Sequence, residues 1–176
     1  FQLPTWLSRF DFVLDEKRRI RMVEINADTP CFIIESFYAN SIAASYFGKE
    51  DPNAGALAQL RNFLTQIHTR LCAPVADLRT RTLAPRPFLF SCFDDYPEDL
   101  ATTLFLMRLM QEGAAHRDIR FRSFYEMEID AQGIPFDDNA YASALYRLHP
   151  MEILIDERTP DGEPLGQMFL DLYQEG

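Results

Sequence analysis

Cysteine, histidine and lysine are all scarce in this chain of 176 residues, and each scarcity excludes something. The three cysteines (Cys31, Cys72, Cys92) and three histidines (His68, His116, His149) are widely scattered, with no C-x-x-C pair. Neither a zinc site nor a disulfide framework is therefore expected, and a reducing cytoplasm is the default. Lysine is confined to Lys17 and Lys49. No segment reads G-x-x-x-x-G-K-[ST] or G-x-G-x-x-G, which removes the Walker loop and the dinucleotide fingerprint. Asp11-Phe-Val-Leu also lacks the second aspartate of an aspartyl-phosphate motif. No apolar run approaches the ~20 residues that span a membrane, and no signal peptide is expected. Positive charge is outweighed: the net charge is -10, which disfavours nucleic acid because its phosphates are repelled. The same acidity suits a cationic partner such as a polyamine, or serves solubility alone.

What is present starts early. Arg9-Phe-Asp11-Phe is followed, after a charged turn, by Glu24-Ile-Asn26-Ala-Asp28-Thr-Pro30. Two short strands carry polar residues at matching i, i+2 positions, so each pair shares a strand face. With the turn at Asp15 to Arg19, Asp11 falls opposite Glu24 and Arg9 opposite Asn26. The other face collects Phe10, Phe12, Leu14, Val23 and Ile25, an apolar set fit for a core, with Arg21 as the exception. Two carboxylates facing across a ladder repel. At ~5 Å and an effective dielectric of ~20 the cost is about 3 kcal/mol. Asp11, Glu24 and Asn26 are hard oxygen donors, so a divalent cation would turn that cost into a site. A solvated polar face is the plain alternative. Arg9 has a fork that matches phosphoryl or acyl-phosphate oxygens, and equally a salt bridge to Asp11 or Glu24.

Further along, Ile33 to Phe47 reads as a helix ending at Gly48. Asp51-Pro-Asn-Ala-Gly55 is a loop. Leu57, Leu60, Leu64, Ile67 and Leu71 recur at spacings of three and four, an amphipathic helix. Thr80 to Arg86 is a connector that holds Pro85 and ends before Pro87. Pro87 to Phe93 is a short apolar run and a buried strand. Asp95 with Glu98 forms a capping-box pattern for a helix through Leu104, Met107 and Met110 to Gly113. Ile119 to Ile129 is read as a strand, which completes a β-α-β unit. Ala131-Gln-Gly133 is a turn, Ala144 to Leu148 a strand, Met151 to Asp156 a short helix, Asp161-Gly162 a turn, and Leu165 to Tyr173 a helix. Trp6 and the many phenylalanines are assigned to core or interdomain surface.

Arg9-Phe-Asp-Phe with Glu24-x-Asn-Ala-Asp-Thr-Pro resembles the central hairpin of the glutathionylspermidine synthase family, which belongs to the ATP-grasp carboxylate–amine ligases. The likeness is specific from Arg9 to about Glu35, weaker over Pro87 to Gly113, and returns at Leu145-Tyr-Arg-Leu-His-Pro-Met-Glu152. That last segment resembles the family's tyrosine-proline-tryptophan-glutamate stretch, although Met151 and Ile153 replace its tryptophans, which leaves packing and helix capping to Glu152. The resemblance implies magnesium at Asp11, Glu24 and Asn26, with Arg9 stabilising charge on the transferred group. It further implies that the loop at Asp28 and Thr29 contacts a glutathione-like peptide, and that Glu98 and Asp99 recognise the polyamine. Each position has an ordinary explanation too. Asp-Thr-Pro is common turn chemistry, and acidic residues favour a first helical turn. Cys31 stands where a small hydroxyl residue is expected. The family's nucleotide-binding lysines lie downstream of this segment, so the ATP site is expected to be incomplete here.

The resulting expectation is an α/β protein: the metal-bearing β-hairpin of an ATP-grasp-like core plus a Rossmann-like β-α-β substrate domain. Residues 1–32 form the hairpin, 33–158 the inserted domain, and 159–176 a connector into the next core segment. The chain, which begins on Phe1, reads as an internal piece of a longer cytoplasmic ligase whose partners are the missing domains of the same parent. Two other classes remain open: a non-catalytic polyamine- or peptide-binding module, and an interaction domain whose acidic clamp has lost its ATP partner segment.

Overall fold

The computed structural model describes residues 7–72, 75–77, 82–84, 87–114, 118–130, 133–137, 140–159 and 161–175. Trp6, His116, and residues 80, 81, 85 and 86 of the expected connector lie outside the described residues. The chain begins with a hairpin of β1 (Arg9–Leu14) and β2 (Ile20–Asn26). The carboxylate of Asp15 closes its turn by accepting the backbone N–H groups of Lys17 and Arg19, each at 2.9 Å. Arg18 takes the left-handed conformation that so short a connection requires (φ 59°).

The hairpin register is the expected one at its polar end, with Arg9 opposite Asn26 and Asp11 opposite Glu24. It then changes. Phe12 pairs with Met22, which leaves Val23 as the extra residue of a β-bulge. The bulge corrects the sequence reading: Met22 and Ile20 replace Val23 opposite the apolar residues of β1, and Arg21 moves opposite Val13. Arg21 thereby reaches Asp15 at 3.5 Å, so the exception disappears. The apolar face is no core either. Phe12 is 57% exposed and Ile20 71%, because no described element covers them.

Helix α1 (Ile33–Tyr46) follows, then α2 (Ala56–Leu71). A small antiparallel pair follows, β3 (Val75–Asp77) with β4 (Thr82–Ala84), and β4 falls within the stretch read as a connector. Strand β5 (Phe88–Ser91) leads into α3 (Pro97–Ala114), which returns to β6 (Ile119–Phe121). Helix α3 begins at Pro97, whose fixed φ and missing N–H suit a first helical position, rather than at an Asp95 cap. The Asp95 carboxylate instead accepts the Tyr125 hydroxyl at 3.0 Å.

The strand expected over Ile119 to Ile129 stops at Phe121. Ser123 accepts the N–H of Tyr125 and starts a 3₁₀ turn at Phe124–Glu126, which buries Phe124. A hairpin absent from the sequence reading, β7 (Pro135–Asp137) with β8 (Ala140–Tyr141), precedes β9 (Ala144–Arg147). Arg122 holds it by donating to the carbonyls of Pro135 and Phe136. Helices α4 (Met151–Leu154) and α5 (Leu165–Glu175) complete the chain.

Strands β6, β5 and β9 form a parallel sheet in that order, with β5 in the centre. Every residue of β5 is buried, as a central parallel strand requires. Alternate side chains serve opposite faces: Phe88 and Phe90 pack with Leu64 of α2 and with Leu106 and Met110 of α3. Leu89 faces Phe124, Phe136, Leu154 and Leu165. The connection from β5 to β6 thus lies on one face, and much of that from β6 to β9 on the other. The connections diverge at the carboxyl ends of β5 and β9, the position at which open α/β sheets generally bind ligands in a crevice.

Gly166 marks the closest approach of α5 to the end of α4. A Cβ there would lie 2.3 Å from the Cα of Ile155 and 2.8 Å from the carbonyl oxygen of Leu154. Backbone cannot yield as a side chain can. Gly166→Ala is expected to destabilise the protein by about 3 kcal/mol, although alanine is the better helix former by about 1 kcal/mol. Urea unfolding would check the sign; a stabilised variant would show that the helices can separate freely.

Candidate functional site

The carboxyl end of the parallel sheet is closed on one side by the turn leaving β2. Asn26 shapes that turn, since its side-chain oxygen accepts the Thr29 N–H at 3.1 Å. Pro30 is buried, and Phe32 is in the left-handed conformation (φ 64°) just before α1. Thr29 also accepts the Cys31 thiol through its carbonyl, at 3.6 Å. The two carboxylate oxygens of Asp28 are both engaged: one accepts Arg147 Nη2 at 2.6 Å, the other the Met151 N–H at 3.1 Å. Arg147, the last residue of β9, additionally donates to the carbonyl of His149. The first and third segments of the sequence resemblance therefore meet in space, across 119 positions of chain.

Arg9, Asp11 and Glu24 lie together on the polar hairpin face. Arg9 forks onto Asp11, Nε to Oδ1 at 2.9 Å and Nη2 to Oδ2 at 3.1 Å, and its Nη2 lies 4.0 Å from Glu24 Oε1. The bond to Asp11 raises the guanidinium pKa further. One cation thus offsets the repulsion between the two carboxylates. The Arg9 guanidinium also sits over the Phe32 ring, 5.7 Å from its centroid. Among the described residues no group of three His, Cys, Asp or Glu side chains gathers closely enough to hold a metal by itself.

Glu98 and Asp99 occupy the first turn of α3, the helix that follows the carboxyl end of β5. Burial pushes the Asp99 carboxyl up, His149 partly offsets this, and Glu98 adds to it. Burial also raises the Cys31 thiol, with Asp99 adding to the effect and Arg9 opposing it. Cys92, just past β5, is pushed up to about 11 by burial. Burial again dominates at Tyr146, whose hydroxyl is raised further by Cys31 and Asp99. Arg9 and Asp99 both act on Cys31, and Cys31, Cys92 and Asp99 all act on Tyr146, so these groups lie within electrostatic reach of one another at this end of the sheet. All three cysteines are free thiols. The hairpin residues and the Glu98–Asp99 pair were singled out in the sequence; Arg147, Tyr146 and His149 were not. Their only signal was membership of the Leu145–Glu152 segment.

His149 is buried, its ring 4.7 Å from that of Phe93 and its Nε2 3.7 Å from Glu157 Oε1. Burial lowers its pKa, while Glu157 and Asp99 pull the other way. The unfolded chain therefore binds the proton more tightly, with a pKa of about 6.5. This histidine's contribution to stability is complete above that value and is lost as pH falls through the lower folded-state pKa. His149→Gln should flatten the fall in urea midpoint between about pH 7.5 and about 5.5. An unchanged fall would assign it to other groups.

Among the described residues no helix is long and apolar enough to cross a membrane. The chain matches, over residues 2–173, the family model described as Glutathionylspermidine synthase preATP-grasp, a family of ATP-dependent ligases acting on small molecules. The match covers almost the whole chain, and the protein belongs to that family.

Proposed function

We propose that this chain supplies the metal-bearing and substrate-binding face of an ATP-dependent carboxylate–amine ligase that joins a glutathione-like peptide to a polyamine. The carrying observation is the hairpin ladder, which sets Asp11 opposite Glu24 and Arg9 opposite Asn26 on one face. The donor set fits magnesium, which needs only one or two carboxylates when it shares phosphate oxygens with a substrate. The Arg9 guanidinium already held between these carboxylates supports their use as a cation site. Asp11, Glu24 and Asn26 would hold the ion. When bound, magnesium offsets phosphate charge.

The peptide carboxylate attacks the γ-phosphorus of ATP, ADP leaves, and an acyl-phosphate forms. Arg9, released from Asp11, stabilises the charge that gathers on the transferred group. The amine then attacks the acyl carbon, phosphate departs, and the amide bond forms. Glu98 and Asp99 attract the polyammonium chain. Burial raises the Asp99 carboxyl pKa, which suits it to accept the proton the amine must lose. Residues 1–32, 33–158 and 159–176 would divide between the ligase core, the inserted α/β domain and a connector. A partner ATP-grasp domain would supply the nucleotide lysines.

The test is ADP release by a chain that joins this segment to its ATP-grasp domain, given magnesium-ATP with and without glutathione and spermidine. Release that needs both substrates supports the ligase. The closed Arg9–Asp11 pair favours a second reading, a polyamine-binding module without turnover. A thermal shift with spermidine that persists in chelator, with no ADP released, would favour that module.

A further inference from the structure

Asp28 stands where the sequence resemblance implies a contact to the peptide substrate, yet both of its oxygens face inward to this chain. The Met151 amide is one of the unpaired donors at the start of α4, so Asp28 caps it from a distant part of the sequence. The Arg147 guanidinium spans the gap, donating to Asp28 on one side and to the His149 carbonyl on the other. With the Asn26–Thr29 bond, this pins the turn on both sides of Ala27.

We propose that Arg147 is a positioning residue: through Asp28 it latches the Asn26–Cys31 turn onto the carboxyl end of the parallel sheet, leaving Thr29 and Cys31 to meet the peptide. The proposal rests on the ligase reading for its substrate, and on the observed bonds for the latch itself. Three features support it. The pair joins a loop at the hairpin to the last residue of β9, so no local turn can replace it. The bond is a charge-assisted contact at 2.6 Å, among the stronger kinds. The seated turn brings Cys31 under the electrostatic influence of Arg9 and Asp99 together, so a displaced turn would separate the hairpin residues from the start of α3.

The experiment uses the full ligase chain with Arg147→Met, Asp28→Asn and the double variant. Hydrogen exchange at the Thr29 amide is read first, because it needs no turnover. Each single variant should raise exchange at Thr29 while the β5 amides keep their protection. The steady-state arm uses glutathione and spermidine. KM for glutathione should rise about tenfold in each single variant, with KM for ATP unchanged. The double variant should be no worse than either single, since both remove one interaction. Arg147→Lys, which keeps charge and one donor, should recover part of the loss and serves if Arg147→Met does not fold.

Unchanged exchange at Thr29, or additive effects on KM, would overturn the latch. If glutathione is not a substrate but exchange at Thr29 rises as described, the ligase reading fails and the latch stands. Raised exchange with an unaltered KM for an accepted glutathione would overturn the positioning role.

Discussion

Asp11→Asn and Glu24→Gln should each lower ADP release by the full ligase by about 10²–10³. The expectation follows from their opposition across the β1–β2 ladder, where a cation offsets the repulsion between two acidic side chains. In the structure that cation is Arg9. During turnover it would be magnesium with its nucleotide, freeing Arg9 for the transferred phosphoryl group. Each amide keeps the size of the side chain but removes the charge that draws the ion. The fold should be little affected. The Arg9–Asp11 pair is partly exposed, with 29% and 42% of the side-chain surface open, so its loss costs about 1 kcal/mol, and relief of the carboxylate repulsion offsets part of that. Melting temperature and ADP release measured on the same preparations would separate the two effects. Full turnover in either variant would remove these residues from the metal site. A matched loss of stability and activity would make the pair structural instead.

Phe90→Ala is expected to cost about 3–5 kcal/mol of stability. Phe90 has no exposed surface and lies in the middle of β5, between the rings of Phe88 and Tyr146, each centroid 5.1 Å away. Its backbone cannot move inward to fill the void, because β5 is held on both edges by β6 and β9. The cavity therefore stays, next to a tyrosine that lines the proposed crevice. Urea unfolding would read the loss. A cost under about 1 kcal/mol would mean that α3 collapses onto the sheet without penalty. Phe12→Ala is the useful contrast, since that ring is 57% exposed and should cost little.

Elements whose cause is local were legible in the sequence. The i, i+2 polar pairs and the charged turn of six-residue β1 and its partner set the register at Arg9, Asp11, Glu24 and Asn26, because side-chain alternation leaves little choice once the turn is placed. The leucine spacing of α2 and the apolar run of β5 were equally sufficient, since 3.6- and two-residue periods are written into the chain itself. The β5-α3-β6 unit followed from length and order.

Other features have causes that lie elsewhere in the molecule. The bulge at Val23 shifts a register that alternation alone would have continued, and it sends Arg21 toward Asp15. The run after Phe121 has the aromatic content of a strand, but Ser123 turns it and Phe124 enters the second core cluster instead. The three-residue strand β7 and the two-residue strand β8 are too short for any period to show. Sequence alone thus determined the helices, the parallel unit and the acidic pair with its arginine. Tertiary structure decided that Asp28 faces Arg147 and the start of α4, and that Cys31, Asp99 and Tyr146 come within electrostatic reach of one another. Those contacts join residues up to 123 positions apart, and no local pattern encodes a partner at that distance.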